Sequence, residues 1–191
     1  MLSPETILLM VQTYEELKSE NIEASRTLET MRWAYQQTCA GEDPWTGLGC
    51  FSHAWYGYAR DNRATLVREP LEKPEQETEH TRRWAAFSAA SVEFLCKLYN
   101  VPCPEWVYDP TYTLPEPWWR TPREADPDMQ EYLRKTTPPP FTRRNIFCGN
   151  RIYQNKYEMA EWTREALMKG ITDSNEISTY IHDKERSIHG A

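Results

Sequence analysis

Seven prolines fall within 28 residues, at positions 102, 104, 110, 115, 117, 122 and 127 of "NVPCPEWVYDPTYTLPEPWWRTPREADP" (100–127). Each proline removes a backbone donor and fixes φ, so neither a long helix nor a central strand can pass through this stretch. Nor is it a flexible spacer. Such spacers are rich in Gly and Ser, whereas this stretch carries Val101, Trp106, Val107, Tyr108, Leu114, Trp118 and Trp119. The segment is therefore expected to be an ordered wrap, held by its aromatics against a body made of something else.

That body reads as helices. Ser3 and Pro4 form a helix start, after which Ile7, Leu8, Val11, Tyr14 and Leu17 fall on one stripe. A second helical pattern over about 22–39 carries Leu28, Met31, Trp33, Tyr35 and Cys39. Residues 1–42 read as an N-terminal amphipathic helical hairpin, and 43–191 as the main helical domain, including the wrap over 100–127. Asp43 and Pro44 open a helix over about 44–61 with Trp45, Leu48, Phe51, Trp55, Tyr56 and Tyr58. Its glycines at 47, 49 and 57 each cost about 1 kcal/mol relative to Ala, which makes sense where a neighbouring helix presses on the backbone; a locally irregular helix is the equal alternative.

The clearest pattern spans about 74–99. Trp84, Phe87, Ser91, Phe94 or Leu95, and Leu98 follow the helical period, with Ala85, Ala86, Ala89 and Ala90 between them. It is the expected central buried helix. Shorter helices are expected over about 127–136, over 154–169 with Gly170 as C-cap, and from Asp173 or Ser174 to about Arg186. Short extended pieces are allowed near 105–108 and 144–153. The fold class is all-α: a helical bundle with a proline- and aromatic-rich extended segment wrapped over it.

Eight Trp, eleven Tyr and five Phe in 191 residues supply enough large apolar surface for a core. A net charge of −7 repels nucleic acid over the whole molecule and suits a basic protein partner. No apolar run approaches the ~20 residues that cross a bilayer. The N-terminus lacks the basic start and small-residue cleavage site of a signal peptide. Five cysteines, an odd number, fit reduced thiols rather than a disulfide framework. Together these features point to a cytoplasmic protein.

Little in the chain advertises chemistry. His53, His80, His182 and His189 are scattered, with no HExxH and no CxxC. Cys96 and Cys103 are separated by a helix end and a proline, not by the tight turn of a structural zinc site. Cys148, in "FCGNR", lies near Arg151, where a cation can lower a thiol pKa; a small buried hydrophobe in a turn is the simpler reading. There is no nucleophile elbow, no P-loop and no dinucleotide fingerprint. No catalytic residue, metal or cofactor is predicted, although an enzyme with an unsignalled site remains an alternative.

One stretch is unusual for an acidic chain. "PPFTRRNIFCGNRIYQNKY" (139–157) lays Arg143, Arg144 and Arg151 beside Asn145 and Asn150, with Gly149–Asn150 as a turn signal. A tight bend there can grip a carboxylate or a phosphate through bidentate contacts. The plainer reading pairs Arg143 and Arg144 with the chain's own 29 acidic residues. Phe141, Ile146 and Phe147 are expected to be core anchors. Trp118 and Trp119 supply stacking faces for an alternative function, a nucleotide or single-stranded nucleic-acid binder gripped by the same arginines. Arg143, Arg144, Asn145, Asn150, Arg151, Trp118 and Trp119 are thus the candidate contact residues.

Three stretches carry a resemblance: "DPWTGLGCFSHAWYGYARDNRATLVREPL" (43–71), "RRWAAFSAASVEFLCKLYNVPCPEWVYDPTYTLPEPWW" (82–119) and "LRKTTPPPFTRRNIFCGNR" (133–151). With R-x-x-L-V-x-x-P, R-W-A-A-F, P-x-W-V, P-W and T-P-x-x-F-x-x-R-N-I-F in order, they resemble an uncharacterised bacterial domain. That domain is similar to the C-terminal part of helix-turn-helix antitoxin-like proteins encoded beside nucleotidyltransferase-type toxins. The resemblance covers about 43–151, and residues 1–42 show no helix-turn-helix pattern, so DNA binding does not carry over. What it implies is a non-catalytic module that recognises another protein, such as a basic enzyme or toxin.

Overall fold

The computed structural model describes residues 28–121 and 126–189. Leu28–Tyr153 forms one compact unit, and the chain from Gln154 onward belongs to a second. The helix expected from Ser3 lies outside the described residues. Among those described, eight α-helices accompany a single two-stranded sheet.

In the first unit, α1 (Met31–Cys39) starts at Thr30, whose side chain accepts the Trp33 N–H at 3.1 Å. It buries Met31, Ala34, Tyr35 and Thr38, the spacing of one helical face. Then α2 (Pro44–His53) opens as its sequence predicts, with Asp43 accepting the Trp45 N–H and Pro44 in the first turn. The two helices touch at Gly47, where a Cβ would lie 2.7 Å from the Ala34 carbonyl oxygen. Gly49 has nothing within 4 Å of such a Cβ, so the packing argument holds for one of these two glycines. The helix expected over 44–61 in fact stops at His53. A π-turn (Ala54–Tyr58), a 3-10 turn (Arg60–Asn62) and α3 (Arg63–Val67) follow. Gly57, at φ −110° and ψ −107°, leaves the helical region and breaks the run.

The longest element is α4 (Glu79–Leu98), entered through a capping box in which Thr78 and Thr81 satisfy each other's backbone N–H groups. The helix therefore begins at Glu79 rather than near residue 74, and Glu75 and Glu77 precede it. Trp84, Phe87, Ala89, Ala90, Val92 and Leu95 are all buried, and α4 packs against α1 and against elements that follow it. It is the central helix.

Beyond Tyr99 the chain takes two 3-10 turns, Glu105–Tyr108 and Pro110–Tyr112, both in contact with α4. The first lies where an extended piece was expected. Trp106 donates its indole N–H to the Val67 carbonyl at 2.9 Å, and Val107 and Leu114 are buried. Next, β1 (Trp118–Trp119) pairs in parallel with β2 (Ile146–Phe147), Trp118 opposite Ile146 and Trp119 opposite Phe147. Between them lie α5 (Pro127–Thr136), capped by Asp126, and the short α6 (Pro139–Thr142).

The second unit is a helical hairpin. Asn155 caps α7 (Lys156–Met168), and α8 (Ser174–His189) begins where Asp173 accepts the N–H groups of Asn175 and Glu176. Gly170, at φ +80°, turns the chain while the Ile171 N–H returns to the Ala166 carbonyl at 3.0 Å, the expected C-cap. Trp162, Ala166, Ile177 and Ile181 form its core, flanked by Met159, Ile171 and Tyr180. No helix among the described residues is long and apolar enough to cross a membrane.

Candidate functional site

The most charged point inside the first unit is Glu93, fully buried in the last third of α4. Isolated, a carboxylate in that position would cost several kcal/mol in lost hydration. Three cations compensate it. Arg144 donates to Oε2 at 2.7 Å, Lys97 donates to Oε1 at 2.6 Å, and Arg143 also bonds Oε1. Lys97 comes from the same helix, one turn on. The arginines arrive from the turn after α6, where the N–H groups of Arg144 and Asn145 close on the carbonyls of Phe141 and Thr142.

Arg144 is the hub of this cluster and is itself buried. Besides Glu93, its guanidinium donates to the Pro140 carbonyl at 2.7 Å and to the Val107 carbonyl of the proline-rich segment. A planar fork with five donors can serve α4, the turn and that segment at once; a lysine cannot. Arg143 differs from its neighbour, with half of its side chain exposed, as does Lys97. Burial alone pushes the Glu93 carboxyl up. The hydrogen bonds from Lys97 and Arg144, and the charges of Arg144 and Arg143, outweigh it and hold the group below the usual glutamate range. Two positive charges remain in excess at this point of an acidic chain.

Asn145 takes a left-handed backbone at φ +59° and ties the turn to the same segment. Its side chain donates to the Leu114 carbonyl at 2.7 Å, and its own carbonyl accepts the Trp118 N–H at 2.7 Å. Asn150 and Arg151 are exposed. The bend expected to gather three arginines thus sends Arg144 inward to Glu93 and leaves Arg151 at the surface. Gly149 turns at φ +74°, and the buried Thr137 hydroxyl accepts the N–H groups of Cys148 and Gly149. Burial pushes the Cys148 thiol up to about 12, and the cation beside it is Arg120.

The two tryptophans have separate surroundings. Trp118 is 8% exposed and meets Trp84 at 5.4 Å and Phe87 at 6.2 Å, edge to face. Trp119 stacks on Phe147 at 4.3 Å, with the Arg134 guanidinium over its ring. Base stacking on Trp118 would require the segment to lift. Phe141 and Ile146 are buried core residues, as expected.

Glu93 and Arg120 are the side chains that sequence reasoning passed over. The Arg120 guanidinium lies 4.9 Å from Trp84, 5.0 Å from Trp118 and 5.5 Å from Trp45, a cation among three aromatic rings. For Glu93 the signal was present: one acidic residue inside the otherwise apolar run "AASVEFLC" must be paired if the helix is central. Among the described residues, no group of three or more His, Cys, Asp or Glu is placed to hold a metal. No protein-family model, curated protein or solved structure matches this chain.

Proposed function

We propose that the chain is a non-catalytic protein-interaction module of the cytoplasm, of the antitoxin-like or regulatory kind that its resemblance implies. The observation that supports this reading is how Glu93 is held. A general acid or base must exchange a proton near neutral pH, and three cations keep this carboxylate ionised well below that range. Arg143, Arg144 and Glu93 serve to fix the proline-rich segment and the 143–145 turn against α4, which makes a rigid surface of pieces remote in sequence. Rigid surfaces suit docking, because less conformational entropy is lost on association. With a net charge of −7, the favoured partner is a basic protein such as an enzyme or toxin.

Affinity purification of the tagged chain from its native host tests the reading. The expected result is a stoichiometric basic protein retained at low salt and released at high salt, since steering between opposite charges weakens with ionic strength. Recovery of the chain alone at both salt concentrations overturns it.

A further inference from the structure

Two arginines beside the Trp118 ring have opposite surroundings. Arg83, 5.7 Å from that ring, pairs with Glu79 at 2.6 Å. Arg120, 5.0 Å from it, has no ion pair and no side-chain hydrogen bond among the described residues. Its backbone is fixed directly after β1, where its N–H bonds the Phe147 carbonyl at 2.8 Å. The side chain is half-buried, and its Nε is sealed from solvent without an acceptor. Since Nε alone is closed off, the two Nη groups are open to solvent.

What holds this guanidinium is aromatic. Trp45 and Trp84 meet edge to face at 5.5 Å, as do Trp84 and Trp118 at 5.4 Å, and the cation sits against all three rings. Ring faces attract a cation but fill none of the five donor positions of the fork. Burial also lowers the guanidinium pKa, while the Cys148 thiol and the Asp43 carboxylate pull the other way without a hydrogen bond to it. A desolvated, unpaired charge gains more from an incoming anion than a solvated one does.

We propose that Arg120 anchors a binding site for a small monocarboxylate with an apolar body. The two Nη groups match the two oxygens of one carboxylate, which accepts them side by side. A fork already held by three rings loses little freedom when it binds. Trp45 is 43% exposed although its ring borders the guanidinium at 5.5 Å, so an apolar surface lies beside the charge. A ligand with its carboxylate on the fork can lay its ring or hydrocarbon on that surface. One guanidinium neutralises one charge, and the net −7 of the chain repels polyanions. Such a ligand binds whether or not a protein partner is captured.

Benzoate is a suitable probe, with benzamide as its uncharged counterpart and inorganic phosphate as a compact anion. In proton–nitrogen correlation spectra of the labelled native protein, benzoate should produce saturable shifts at the Arg120 Nε–H and the Trp45 indole N–H. Benzamide should leave both in place, and phosphate should shift them less at equal concentration. Arg120→Lys keeps the charge but loses the fork, and should weaken benzoate about tenfold or more. Trp45→Leu should weaken it with the Arg120 signal retained. Arg60→Lys, at an exposed arginine, should change nothing. The titration of the native protein needs no variant to fold. Absence of a saturable shift up to about 10 mM benzoate, an equal response to benzamide, or phosphate binding as tightly as benzoate overturns the proposal.

Discussion

Glu93 shows how one residue decides what its neighbours can do. Removing the charge while leaving the cations strands Arg144 in a buried position, so Glu93→Gln should cost about 3–5 kcal/mol. Urea unfolding at neutral pH measures it as a shift of the midpoint. The pH dependence has a definite sign. The carboxyl titrates lower in the folded protein than in the unfolded chain, so its contribution is complete above about pH 4.3, the ordinary glutamate value. It is lost as pH falls through the depressed folded value. The stability gap between wild type and Glu93→Gln should therefore narrow on acidification below about pH 4.3. A gap that widens there would contradict the pairing. Replacing Glu93 and Arg144 together with Leu and Met should recover part of the loss, because no unpaired Arg144 charge is then left inside.

At the scale of elements, two small features carry testable weight. Gly47→Ala places a Cβ 2.7 Å from the Ala34 carbonyl oxygen. Backbone cannot step aside as a flexible side chain can, so α1 and α2 must move apart at a cost of about 1–3 kcal/mol. Gly49→Ala, with open space around it, should be neutral or stabilising by up to about 1 kcal/mol. Thermal melts of the pair separate the two cases. Thr78→Ala removes the side-chain acceptor of the α4 capping box and should lower stability by about 1 kcal/mol.

These elements also mark where sequence was legible. Asp43–Pro44, the period of Trp84, Phe87, Ser91 and Leu95, and Gly170 each announce themselves through local physics: a cap, a repeat, a left-handed turn. Which of the three glycines would break the helix, and that α4 would start at Thr78, were not announced, because apolar and acidic residues continue smoothly across both boundaries. The surroundings of Glu93 and Arg120 lay hidden for another reason. Lys97 and Trp118 are local, but Arg144 and the other two tryptophans arrive from distant parts of the chain, and no local spacing encodes their return to residues 93 and 120.

For the whole molecule, the proposed docking role predicts that charge governs partner capture while the Glu93 cluster governs only rigidity. Glu93→Gln should thus weaken recovery of a partner through loss of fold, tracking the unfolding midpoint, whereas added salt should weaken it with the midpoint unchanged. Measuring both against the same pull-down distinguishes the two causes. The single guanidinium that joins α4, the proline-rich segment and the 143–145 turn also sets an order of assembly. On the ribosome, the central helix emerges with an acidic side chain destined for the interior and only Lys97 at hand to neutralise it. Closure of the domain must wait until residue 144 has cleared the exit tunnel, so a prematurely terminated chain would be left open at its middle.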